Sequence, residues 1–159
     1  RRLSQYYMER SLALVRGDVS AKSDSSKQVM DLNAADEPLE TILASDEKEE
    51  QAILNQQDQA FVEKATRLVL SHLSDTDFNI DCLCREMAMS RTLFYGKLKT
   101  LTGQSPQDFM RLIRLEQAAM FLKQGDSVLD VSVKAGFVNV KYFSTVFKKH
   151  FGVSPSKYL

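Results

Sequence analysis

The side chains best placed to do chemistry in this chain are cations: Arg91, Lys97 and Lys99 in one segment, Lys141, Lys148 and Lys149 in another. They alternate with Phe, Tyr, Leu and Val at three- and four-residue steps. On a helix that turns its apolar face inward, such cations stand outward, where they can neutralise an extended polyanion. Most charged runs are only a solvated helix face. These differ because the arrangement occurs twice. LKTLTGQSPQDF (98–109) overlies FKKHFGVSPSKY (147–158) at an offset of 49, which pairs Phe94 with Phe143, Leu98 with Phe147, Lys99 with Lys148 and Phe109 with Tyr158. Upstream the offset falls to 48, matching Ile80 to Val128, Leu83 to Val131 and Ala88 to Gly136. The second copy therefore holds one extra residue, at Phe137–Asn139.

Each copy reads as a short helix, a tight turn and a second helix. In copy one Phe94, Leu98 and Leu101 are the inward face; in copy two Phe143, Val146, Phe147 and Phe151 are. A helix of this kind fits a DNA major groove with its lysines on phosphates, so Lys97, Lys99, Lys148 and Lys149 are the expected phosphate contacts. The elements that must hold the two copies have clear local signals. Helices are expected at about 80–87, 91–101, 106–123, 127–135 and 140–151, with Asn79, Ser90, Ser105, Ser127 and Asn139 as N-caps. Pro106 and Pro155 sit at first helical positions, and Gly103 and Gly152 fall just past helix ends. The 17 residues from Pro106 to Leu122 span roughly 25 Å at 1.5 Å per residue. With the width of each unit added, two groove-reading helices about 34 Å apart become feasible, one turn of B-DNA.

Around this repeat the chain is unevenly charged. Lys+Arg and Asp+Glu both total 21 in 159 residues, but residues 1–57 carry 7 basic and 11 acidic side chains and residues 58–159 carry 14 and 10. The excess of four negative charges before residue 58 and four positive after it points to an anionic partner for the second part alone. Residues 3–16 can form a short helix with Leu3, Tyr7, Leu12 and Val15 partly on one side. Gly17–Asp36 reads as a linker, and Glu37 to about Gln57 as a marginal helix or tether. From Asp58 a strong helical stripe begins: Phe61, Ala65, Leu68, Val69, His72 and Leu73. The domain reading is thus 1–57 as linker and tail, and 58–159 as an all-α unit with helix-turn-helix subdomains at 78–103 and 127–152. A linking helix at 105–123 joins them.

Other chemistries find little support. Cys82 and Cys84 lack the two further ligands of a structural zinc site, and Cys84 fits a small buried position. His72 and His150 have no carboxylate pattern around them and read as boundary residues, while Met87, Met89, Met110 and Met120 read as packing. There is no GxGxxG, GxxxxGK[ST] or HExxH sequence, so neither an enzyme nor a cofactor or metal site is expected. No apolar run reaches the roughly 18 residues of a membrane span, no secretory leader pattern opens the sequence, and a cytoplasmic setting is expected. The first residue, Arg1, suggests a piece of a longer protein. A helical protein-interaction module is the rival function, but it gives no reason for matched cations on both second helices.

The segments AMSRTLFYGKLKTLTGQSP, RLIRLEQAAMFL and AGFVNVKYFSTVFKKHFGVSP together resemble the DNA-binding domain of the AraC/XylS family of transcription regulators, over the last 102 residues. The wording is also similar to the output domain of Bacteroides-type hybrid two-component regulators, in which a receiver domain precedes it. The resemblance implies a sequence-specific regulator of transcription. Arg91, Thr92, Tyr95 and Gly96 would meet bases in one groove, and Val140, Lys141, Ser144 and Thr145 in the next. Val140 suits a thymine methyl and Lys141 a guanine edge. The family often carries Arg where this chain has Gly96 and Thr145. Double-stranded DNA is the implied partner, with RNA polymerase, a preceding receiver domain and a second copy of the chain as further candidates.

Overall fold

The computed structural model describes the backbone of residues 2–17 and 39–158, and the side chains of residues 5–17 and 55–158. Among these residues every regular element is helical: α1 (Arg2–Arg16), α2 (Leu39–Ser71), α3 (Ile80–Glu86), α4 (Arg91–Thr102), α5 (Pro106–Lys123), α6 (Val128–Lys134) and α7 (Val140–Phe151), then a 3-10 turn at Pro155–Lys157. The expected linker at 17–36 lies, apart from Gly17, outside the described residues.

Capping explains where the helices begin. Asn79 Oδ1 accepts from the Cys82 amide at 3.0 Å, Ser90 Oγ from Leu93 at 3.3 Å, Ser105 Oγ from Asp108 at 3.2 Å and Ser127 Oγ from Asp130 at 3.1 Å. Asn139 Oδ1 accepts from both Lys141 and Tyr142. Each bond satisfies an amide that the first turn leaves without an intrahelical partner. Helices α4 and α7 end alike: Gly103 and Gly152 adopt left-handed φ of 74° and 81°, and their amides close on Lys99 and Lys148 carbonyls.

The molecule has two cores, and α5 belongs to both. Phe109, Met110 and Ile113 join Phe61, Val62, Val69, Leu83, Phe94 and Leu98 in the first. Leu115, Ala118, Ala119 and Leu122 join Val131, Ala135, Phe137, Phe143 and Phe147 in the second. The linking helix is continuous through this change of partner, as its unbroken apolar stripe predicts.

The structure differs from the sequence reading at the N-terminal side. No break falls at residue 57, since α2 runs through it. Nor does α1 stand apart as a tether: it packs on α2, α4 and α5. Tyr7, Met8, Leu12 and Val15 are buried in the first core, and the Thr66 hydroxyl donates to Ser11 Oγ at 3.1 Å. The physical reason is the spacing of those four apolar residues, which presents one continuous stripe. Burying it is worth roughly 1.5–3 kcal/mol per large side chain, and acidic composition elsewhere in the segment does not oppose that.

Candidate nucleic-acid interface

Helices α3–α4 and α6–α7 form the two helix-turn-helix units, with the turn residues 87–90 and 135–139. The extra residue in the second turn lies where the change of offset puts it. Ala88 and Gly136, matched in sequence, share a positive φ of 55° and 82°.

Phe94 and Leu98 are fully buried on α4, as are Phe143 and Phe147 on α7, so the opposite faces are open to solvent. Arg91, Thr92, Gly96, Lys97 and Lys99 on α4 are exposed, with Tyr95 half-buried at the edge. On α7 Lys141, Thr145, Lys148 and Lys149 are exposed, as are Tyr142 and His150, with Val140 and Ser144 half-buried. The repeat thus places Thr92 with Lys141, Tyr95 with Ser144, Gly96 with Thr145 and Lys99 with Lys148 at equivalent positions on two helices. A cleft of about 720 Å³ opens between the units, and Arg91, Asn139 and Tyr142 at the starts of α4 and α7 line it. The starts of both helices therefore open onto one side of the molecule.

Individual side chains refine this picture. Arg91 lies 3.5 Å from Asp81 and its guanidinium sits 5.8 Å above the Tyr95 ring, an arrangement that holds both near the leading edge of α4. Thr145 donates to the Lys141 carbonyl at 2.9 Å. Lys97 behaves differently from the other lysines of α4 and α7. Its Nζ lies 4.7 Å over the Phe61 ring, on the flank facing α2, and its counterpart in the second copy is the uncharged Val146. A Cβ added to Gly96 would meet nothing within 4 Å, so no protein neighbour requires glycine there.

Of the residues set aside in the sequence, Cys84 is buried in the first core and Cys82 half-buried, its thiol 3.9 Å from the Asp77 carbonyl. Burial pushes the Cys84 thiol up, with Asp81 adding to the effect, so it is a poor thiolate. His72 stacks on Phe78. Among the described residues no group of His, Cys, Asp and Glu could hold a metal, and no helix is long and apolar enough to cross a membrane.

Two features escaped the sequence reading. Glu116 lies in the apolar stripe of α5 yet accepts from Arg16 Nε and Nη2, both at 3.2 Å, and lies 3.3 Å from His150 Nε2. It ties α1 and α7 to the linking helix. Arg114, between the last α5 residue of the first core and the first of the second, donates to the Gly136 carbonyl at 3.1 Å and to the Phe78 carbonyl at 3.4 Å. A charged residue inside an apolar helical run was the available signal for both.

Comparison with known proteins agrees with this geometry. Residues 83–159 match the family described as a helix-turn-helix domain. The chain is 32% identical over 102 residues to a protein named as a histidine kinase of Formosa agariphila, covering 64% of this chain and 7% of that protein. It is 36% identical over 85 residues to the transcriptional regulator MtrA of Neisseria gonorrhoeae, covering 53% of this chain and 28% of MtrA. The chain thus spans well under a third of these relatives. Among solved structures it resembles the C-terminal domain of AraT, a response regulator from Geobacillus stearothermophilus, at TM-score 0.56, 28% identity, and coverage of 62% of this chain and 82% of that one. It also resembles the DNA-binding domain of the transcriptional factor AdpA, solved with a target DNA, at TM-score 0.56, 29% identity, and coverage of 60% and 86%. The repeat-bearing part of this chain is therefore similar, in sequence and in fold, to helix-turn-helix domains of transcription regulators.

Proposed function

We propose that this chain regulates transcription by inserting α4 and α7 into two successive major grooves of promoter DNA. The observation that carries the proposal is the matched placement of polar and cationic side chains on the open faces of two helices whose buried faces also match. A single polypeptide then does what a symmetric helix-turn-helix dimer does with two. Arg91, Thr92, Tyr95 and Gly96 face bases in one groove, and Val140, Lys141, Ser144 and Thr145 in the other. Lys99, Lys148 and Lys149 meet phosphates. Lys97, drawn over Phe61, contributes least of the four.

Because Gly96 and Thr145 cannot make the bidentate guanine contact of an arginine, direct readout leans on Arg91, Thr92, Tyr95 and Lys141. The remaining specificity comes from the shape and bending of a duplex that must meet two linked helices. Its similarity to the C-terminal domain of the response regulator AraT supports a place at the output end of a two-component protein. A receiver before α1, and RNA polymerase or a second copy beside the domain, are the corresponding partners.

Selection of bound duplexes from a random pool, followed by binding measurements on the recovered site, tests this reading. Tyr95→Ala and Lys141→Ala should each cost on the order of 1–3 kcal/mol on the selected site and much less on random DNA. Unchanged preference in both variants would remove α4 and α7 as the reading helices.

A further inference from the structure

The two helix-turn-helix units do more than share a linking helix: they touch through a polar seam. Its centre is Arg114, placed on α5 between Ile113 of one core and Leu115 of the other. One arm of its guanidinium donates to the Gly136 carbonyl in the turn of the second unit, and the other reaches the Phe78 carbonyl at the start of the first unit. Gly136 is itself pressed into the seam. A Cβ there would stand 2.2 Å from the Leu73 carbonyl oxygen and 3.2 Å from the Arg114 guanidinium carbon, and its φ of 82° belongs to the left-handed region. Only glycine lets the second turn approach the segment just after α2 this closely.

This geometry has a mechanical meaning. A helix alone is a poor ruler for angle, since bending or a small rotation at either end swings the attached unit. Two carbonyls held by one planar fork, on opposite sides of the junction, remove that freedom. We infer that Arg114 is a positioning residue that fixes the placement of α7 relative to α4, and so sets the one half-site separation the chain accepts. The inference rests on the DNA-reading function proposed above. One added base pair shifts a half-site by about 3.4 Å and rotates it by about 34°, and a rigid pair of units cannot follow both changes.

The seam is tested first without DNA. Spin labels at Thr100→Cys and Lys149→Cys, exposed sites at the equivalent position on α4 and α7, are placed in a chain with Cys82→Ala and Cys84→Ala. Their distance distribution should be narrow with Arg114 present and distinctly broader with Arg114→Met, which keeps the length and helical preference but not the fork. Arg114→Lys, able to reach one carbonyl at a time, should fall between. Gly136→Ala opens the same seam from its other side and should broaden the distribution too. Helical circular dichroism and thermal unfolding establish that each variant is folded. The second measurement uses a selected duplex and versions with one base pair added or removed between half-sites. The unaltered residue should give a loss on the order of tenfold or more for either change, and Arg114→Met should reduce that penalty to about threefold or less.

A folded Arg114→Met with an unchanged distance distribution overturns the inference, as does a broadened distribution with the spacing penalty intact. If the distribution broadens but the unsubstituted chain binds no duplex from the pool, the ruler stands and the DNA-reading function falls.

Discussion

Gly96 occupies the middle of α4, where a glycine costs about 1 kcal/mol relative to alanine, and nothing in the protein needs it. Its open side faces where the duplex is proposed to lie. Gly96→Ala should therefore stabilise the free protein by roughly 0.5–1 kcal/mol in thermal unfolding, while weakening binding to the selected duplex. A variant that is more stable and binds equally well would show that the groove does not approach this backbone. The lysines separate along similar lines. Lys99→Ala and Lys148→Ala should each lower the slope of log affinity against log salt by roughly 0.9, on any sequence. Lys97→Ala should change the slope by clearly less, because its ammonium is spent on the Phe61 ring. Equal slope changes for all three would return Lys97 to the phosphate contacts. The sequence could place these lysines on a helix face but not on one flank of it. That distinction depends on α2, whose neighbouring ring lies 36 positions away.

At the scale of the element, the helices were legible because their ends are written in side chains. Five N-caps and two left-handed glycines stand where polarity and periodicity placed them, and each acts through atoms within four residues. The turns were legible through the repeat, since Ala88 and Gly136 share a conformation as well as an alignment position. That match carries a prediction. Alanine in a left-handed conformation costs roughly 1–2 kcal/mol, which glycine avoids. Ala88→Gly should gain about 1 kcal/mol in denaturant unfolding, unlike most glycine substitutions. A loss of stability would mean that the Ala88 methyl packs to more effect than its backbone strains. What the sequence did not disclose were contacts between elements: the docking of α1 and the two charged residues of α5 that face opposite ways. Such contacts follow from how helices are stacked, and no pattern within one helix records its neighbour.

For the molecule as a whole, Glu116 is the point where α1, α5 and α7 meet. Burial pushes its carboxyl up, but hydrogen bonds from His150 and Arg16, with their charges, outweigh burial and hold it below the ordinary carboxylate range. The folded state therefore favours the ionised form. This contribution is fully present above the unfolded value of about 4.3 and is lost as pH falls through the lower folded value. Glu116→Gln should cost about 1–3 kcal/mol at pH 7, and the gap between the two proteins should narrow steadily below about pH 4. A gap independent of pH would assign the effect to packing alone. The same junction has a consequence for how the chain is made. Arg16 and its carboxylate are 100 residues apart, and synthesis proceeds at about 5–20 residues per second. For roughly 5–20 seconds after α1 emerges from the ribosome, Tyr7, Met8, Leu12 and Val15 have no α5 to cover them. Helix α1 is made before each of the elements it packs on, α2, α4 and α5, and until they follow its apolar stripe is available to whatever else the nascent chain meets.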